Sequence, residues 1–174
     1  MTTLLSVIDR VDDVLSRVLI GLLAFLVLDV CWQVVTRFLL NDPSSYTEEI
    51  ARFTLIWISL LGAASAYKRG LHLGIDIVTS ALPIAARFAA QVFVHLCVIG
   101  FALTILIYGG SKLVAMTFQL QQVSAVLGVK MGYIYLAMPI SGVLFLVYAV
   151  RFLMLSVVSF KNNNEAVAQS AAGN

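Results

Sequence analysis

The stretch VLIGLLAFLVLDVCWQVVTRFLL, residues 18–40, is 23 residues long, and only Asp29 and Arg37 in it carry charge. As a helix it would run about 34 Å, enough to cross the ~30 Å hydrocarbon core of a bilayer. Three more apolar stretches follow at about 46–67, 88–108 and 133–158. Across all 174 residues, 61% are hydrophobic and 11% charged, where a soluble domain needs roughly 25% charged residues to cover its surface. The sequence therefore predicts an all-α integral membrane protein with four transmembrane helices, forming a single domain over residues 1–160. A formal charge of +2 without a Lys/Arg cluster gives no stripe for nucleic acid.

Upstream of the first span, Leu4, Val7, Ile8, Val11, Val14 and Leu15 recur at helical spacing, opposite Ser6, Asp9, Arg10, Asp13 and Arg17. This is an amphipathic helix that enters the span without a breaker, either lying along the headgroups or extending the span. Its aspartates, and the lack of a small-residue cleavage site, argue against a removable signal peptide.

Downstream, Asn41-Asp42-Pro43-Ser44 ends the first helix, because proline cannot continue the hydrogen-bond ladder. Ser45 followed by Glu48 fits a capping box opening the second span. Arg52 lies four residues from Glu48 and three from Glu49, so an ion pair is expected on that face. Residues 68–87 form a polar connection in which Leu71, Leu73, Ile75 and Ile77 alternate with His72, Gly74 and Asp76, an extended pattern. After the third span, Gly109-Gly110 is expected to loosen the helix. Residues 112–130 then read as a partly amphipathic, interfacial helix and a loop, with Gln119, Gln121, Gln122 and Ser124 polar. The fourth span exceeds the bilayer core and should tilt, with Pro139 in its second turn, where a missing N–H costs least. The Asn/Ala/Ser/Gly-rich tail 161–174 reads as disordered.

Basic residues at span ends set the orientation. Arg10, Arg17, Lys68, Arg69, Arg87, Arg151 and Lys161 flank one side, and Lys112 and Lys130 the other. Adding Arg37 and Arg52 to the second side leaves it the minority, so both termini are expected in the cytoplasm.

Two intramembrane polar residues are candidates for chemistry. Asp29 lies near mid-depth, where a carboxylate costs at least ~2.5–3.5 kcal/mol to insert and must face protein or water. It is either an ion or proton site, or a structural contact to Gln33 one turn on or to another helix. No second acidic residue lies deep in another span to complete a carrier site. His95, in the third span, reads as a hydrogen-bonded interior histidine. A membrane haem normally needs two imidazoles at matching depth, and the other histidine, His72, lies near a span end. Cys31 and Cys97 read as small buried hydrophobes, not as a disulfide or metal site. His72 and Asp76 lack a nucleophile or third ligand, and no Walker A, GxSxG or HExxH pattern occurs. No enzyme and no cofactor is expected. Trp57 lies deep, where an indole seeks a hydrogen-bond partner or a packed helix. Gly62, Ala63, Ala64, Ser65 and Ala66 permit close helix approach.

The order Glu48-Glu49-xx-Arg52, Trp57, Gly62-Ala63, Lys68-Arg69, His72 and Asp76 resembles the small membrane subunit of tripartite ATP-independent periplasmic (TRAP) transporters. So does the later run Gln122-Val-Ser124 with Tyr133-Ile-Tyr135-xxx-Pro139-Ile-Ser141-Gly142. The resemblance spans about residues 10–158. It implies a non-catalytic scaffold beside a large, sodium-coupled, elevator-type membrane subunit, with a periplasmic binding protein delivering an organic acid of the sialic acid or C4-dicarboxylate class. It makes Glu48, Glu49, Arg52 and Trp57 candidate contacts to the large subunit, and Gln119, Gln121, Gln122 and Ser124 candidate contacts to the binding protein. Two other readings stay open: a self-sufficient homo-oligomeric carrier or channel built around Asp29, and a haem-binding electron-transfer anchor.

Overall fold

A computed structural model describes residues 2–39, 44–69 and 84–172. The Asn41-Asp42-Pro43 break and the alternating stretch with His72 and Asp76 lie outside the described residues. Helix α1 runs over Thr2–Phe38, α2 over Ser45–Lys68 and α3 over Ile84–Phe101; α3 continues through a π-helical segment, Ala102–Gly109, into α4, Gly110–Gln119. A short α5, Met131–Tyr135, leads into α6, Ala137–Ala172. Among the described residues there is no strand, and four helical stretches are long and apolar enough to cross a membrane: Ile8–Phe38, Ser45–Lys68, Phe88–Gln119 and Met131–Ser156.

The amphipathic start of α1 extends the first span as one helix. Its inward face is a seam at alternating spacings of four and three: Ile8, Asp12, Leu15, Leu19, Leu22, Leu26, Asp29, Gln33 and Thr36. That period keeps one stripe on a neighbouring helix along the full length. Of the apolar face read from the sequence, Ile8 and Leu15 are buried, Val11 and Val14 are exposed, and Asp12 is buried beside them. The reason is electrostatic, since Asp12 has a cation waiting on α2.

Helices α1 and α2 run antiparallel, α2 packs against α6, and α6 packs against α3 and its π segment. Tyr148 and Ala149 of α6, with Ala64 and Tyr67 of α2 and Ile8 of α1, form the buried cluster, edged by Phe145 and Phe152. Glycine makes the tightest contact possible: a Cβ on Gly142 would lie 2.8 Å from both Leu106 Cβ and Ile107 Cγ1 in the π segment.

The outer surface is apolar, with Phe38, Leu39 and Leu28 at least 70% exposed, as a lipid-facing or partner-facing wall requires. Cys31 and Cys97 also lie on this surface, which corrects the expectation of burial. Within a bilayer, an apolar side chain need not enter the protein core to leave water.

Three boundaries differ from expectation. The third span runs on through Gly109-Gly110 to Gln119, and the loosening expected there takes the form of a π segment, Ala102–Gly109, that ends at this pair. The fourth span, Met131–Ser156, is continuous but for one turn residue, Leu136, since Pro139 has no N–H to offer the Tyr135 carbonyl one turn back. Its helix then continues past Lys161 to Ala172, over residues whose composition suggests a disordered tail. A helix already nucleated within the span propagates at little cost through residues that include several alanines.

Candidate functional site

The second helix opens with Ser44 as its N-cap residue, and Ser44 makes no side-chain cap bond. Thr47 Oγ1 instead donates to the Ser44 carbonyl at 2.9 Å, so the expected Ser45/Glu48 capping box is not made. Glu48 is thereby left for its other partner, and Arg52 Nη2 donates to Glu48 Oε1 at 3.0 Å. Both side chains are largely exposed, so this pair contributes little to stability.

Glu49 does something different. One residue on from Glu48, it is turned about 100° around the helix and points at the connection between α4 and α5. There Glu49 Oε2 accepts hydrogen bonds from Ser124 Oγ at 2.9 Å, Leu127 N at 2.8 Å and Val126 N at 3.2 Å. Backbone N–H groups aimed at one carboxylate oxygen form charge-assisted bonds, stronger than neutral ones. No ion pair joins Glu49 to Arg52 among the described residues.

The loop that Glu49 holds is compact in its own right. Gln121 adopts a positive φ of 52° and Gly128 one of 64°, the left-handed conformation that glycine takes at least cost. Ser124 N donates to the Val129 carbonyl at 2.8 Å and Met131 N to the Gln122 carbonyl at 2.9 Å. Gly132 lies against the Phe118 ring, where a Cβ would come within 2.6 Å, and Phe118 meets Tyr133 edge-on at 5.3 Å. The hairpin thus buries Ser124 and presents Gln119, Gln121 and Gln122 outward.

The opposite end of the bundle carries a second clamp. Lys68 Nζ lies 3.1 Å from Asp9 Oδ1 and 3.2 Å from Asp12 Oδ2, and Arg151 Nη1 lies 3.0 Å from Asp9 Oδ1. Ser65 Oγ donates to Asp12 Oδ1 at 3.2 Å. These bonds tie α1, α2 and α6 together where α1 projects past its span. Sequence reasoning missed this network, although Asp9 and Asp12 three residues apart, facing Lys68 and Arg151 at span ends, were its signal.

Between the clamps, Tyr67 Oη and His95 Nδ1 are 2.7 Å apart, and the imidazole stacks on Phe152 at 5.6 Å. Asp29 is about 9% exposed and accepts from Gln33 Nε2 at 3.3 Å. Trp57 is half-buried. The sequence candidates therefore divide by position. Glu49 and Ser124 meet directly, Glu48 and Arg52 pair beside them, and Asp29 and His95 sit on separate helices with separate partners.

Fold and polar contacts together define a small multi-pass helical membrane protein whose charged groups cross-link its own helices at both ends. The family model for tripartite ATP-independent periplasmic transporters, DctQ component, matches residues 26–158. The chain belongs to that family, and so is a small permease subunit of a TRAP transporter and not an enzyme. The sialic acid TRAP transporter small permease protein SiaQ of Vibrio cholerae is 29% identical over 143 residues, covering 79% of this chain and 76% of that one. The ectoine TRAP transporter small permease protein TeaB of Halomonas elongata is 22% identical over 95% of this chain and 86% of its own length. The isethionate TRAP transporter permease protein DctMQ of Oleidesulfovibrio alaskensis is 33% identical over 62% of this chain but only 16% of its own length. A stretch like this chain is thus one part of a much longer permease polypeptide there. Small subunits of this family pair with a large permease subunit in the inner membrane.

Proposed function

We propose that this chain is the fixed scaffold against which a large, elevator-type permease subunit moves, in a sodium-coupled importer of an organic acid of the sialic acid or C4-dicarboxylate class. The similarity to a sialic acid small permease supports the first of those classes. The termini face the cytoplasm, which puts the Glu49-held hairpin on the periplasmic side. There Gln119, Gln121 and Gln122 offer amide donors and acceptors to a periplasmic solute-binding protein, with Ser124 holding the loop from beneath. Glu48, Arg52 and Trp57 lie along the start of α2 as contacts for the large subunit.

The observation that carries this reading is the Glu49 clamp. A binding protein that docks and releases repeatedly needs a surface that keeps its shape, and one carboxylate gathering three donors from a neighbouring connection supplies it. Asp29 fits this account as a structural carboxylate, bonded to Gln33 on its own helix.

The test is alanine substitution of Gln119, Gln121 and Gln122 together, with binding-protein association to the assembled membrane complex measured by surface plasmon resonance. Weakened association with unchanged complex assembly is the expected result. Wild-type association would remove the docking assignment.

A further inference from the structure

At the end of the bundle that carries the Lys68 clamp, the cations of α2 and α6 are not all held alike. Lys68 and Arg151 are both paired with aspartates. Arg69, at the C-terminal end of α2, donates to the Ser16 hydroxyl at 2.7 Å and has no carboxylate at ion-pair distance among the described residues. It stands at the mouth of a groove of about 290 Å³ between α1 and α2, lined by Ser16, Leu19, Ile20, Gly62, Ser65 and Ala66 as well as Arg69. From Arg69 to Gly62 is two helical turns, about 10 Å, running from the membrane surface toward its apolar interior. A Cβ placed on Gly62 would meet nothing within 4 Å, so this glycine leaves open space and serves no close helix contact.

We infer that this groove seats an anionic phospholipid, with its phosphate against Arg69 and Ser16 and the start of an acyl chain along Ile20, Gly62 and Ala66. A guanidinium matches phosphate oxygens in a bidentate geometry and is weakly hydrated, so it holds a headgroup where an ammonium is less suited. Basic pockets between transmembrane helices at the bilayer surface recognise anionic headgroups by the same chemistry. The volume suits a headgroup phosphate and the first methylenes, with the rest of the lipid left in the bilayer. The lining comes from α1, α2 and the residue that follows α2, with none from α6, so occupancy would brace the α1–α2 pair.

Native mass spectrometry of the full chain, purified with its large partner subunit, tests the assignment by titration with dioleoylphosphatidylglycerol or dioleoylphosphatidylcholine. The wild type is expected to bind phosphatidylglycerol about fivefold more tightly than phosphatidylcholine at one site per copy, the contribution of one basic side chain at a membrane surface. Arg69→Gln should abolish that preference at this site, while Arg69→Lys keeps part of it. Gly62→Leu should lower binding of both lipids while leaving thermal stability at or above the wild-type value, because the space it fills is empty. Equal binding of the two lipids by the wild type, or a preference untouched by Arg69→Gln, would overturn the inference. So would a Gly62→Cys variant that crosslinks efficiently to the large subunit, since a protein helix would then occupy the groove.

Discussion

Two glycines that look alike in sequence should respond to alanine with opposite signs. At Gly142 the added Cβ would fall 2.8 Å from Ile107 Cγ1 and Leu106 Cβ and 3.2 Å from the Ile107 backbone nitrogen. The backbone contact cannot be relieved by a rotamer change, so α6 and the π segment must part by several tenths of an ångström. Overpacking of this kind costs about 1–3 kcal/mol, partly offset by the ~1 kcal/mol that alanine gains over glycine within a helix. The net expectation for Gly142→Ala is a loss of about 1 kcal/mol, with Gly142→Leu worse. At Gly62 nothing opposes the added carbon, and Gly62→Ala should gain up to ~1 kcal/mol. Thermal unfolding of the purified chain in one detergent reads the contrast, at roughly 2–4 °C per kcal/mol for a chain of this size. A Gly142→Ala variant as stable as the wild type, or a destabilised Gly62→Ala, would refute the close contact between α6 and the π segment.

Glu49→Ala should raise amide hydrogen exchange at Val126 and Leu127, whose N–H groups lose their acceptor, and Glu49→Asp, one methylene shorter, should restore protection only in part; exchange unchanged from the wild type would show that the hairpin needs no clamp. Lys68→Met leaves the buried Asp12 carboxylate without its cation and should destabilise by about 3 kcal/mol in thermal or denaturant unfolding, whereas adding Asp12→Leu should recover most of it. Tyr67→Phe removes the hydroxyl 2.7 Å from His95 Nδ1 and should cost about 1 kcal/mol by the same measurement; no change would mean that the two side chains are not bonded in the membrane. Asp29→Asn keeps the contact with Gln33 and should leave the rate and sodium dependence of uptake by the assembled transporter near wild type, and lost coupling would count for a carrier site on this chain.

Much of the architecture was legible from local chemistry. Hydropathy located all four spans because the bilayer sets one threshold of length and polarity for each of them, whatever it packs against. The Glu48–Arg52 pair was legible because four residues make one turn. Partners far apart in sequence were not: Glu49 and Ser124 are 75 positions apart, and nothing near Glu49 says that it faces away from Arg52. Amphipathicity misjudged the start of α1 for a related reason. Counting apolar residues favours Val11, but the seam is chosen by what α2 and α6 present, and they present Lys68, Ser65 and Arg151 to Asp9 and Asp12. Burial of the cysteines was misread because hydropathy measures exclusion from water, which lipid achieves as well as protein.

Reconstitution tests the scaffold account most directly. Proteoliposomes holding this chain alone, this chain with its large partner subunit, or both with the binding protein would be given an inward sodium gradient and radiolabelled sialic acid or a C4-dicarboxylate. Accumulation confined to the vesicles in which the large subunit is present, and lost when this chain is omitted, is the predicted result. Solute accumulating in vesicles that contain only this chain would contradict it.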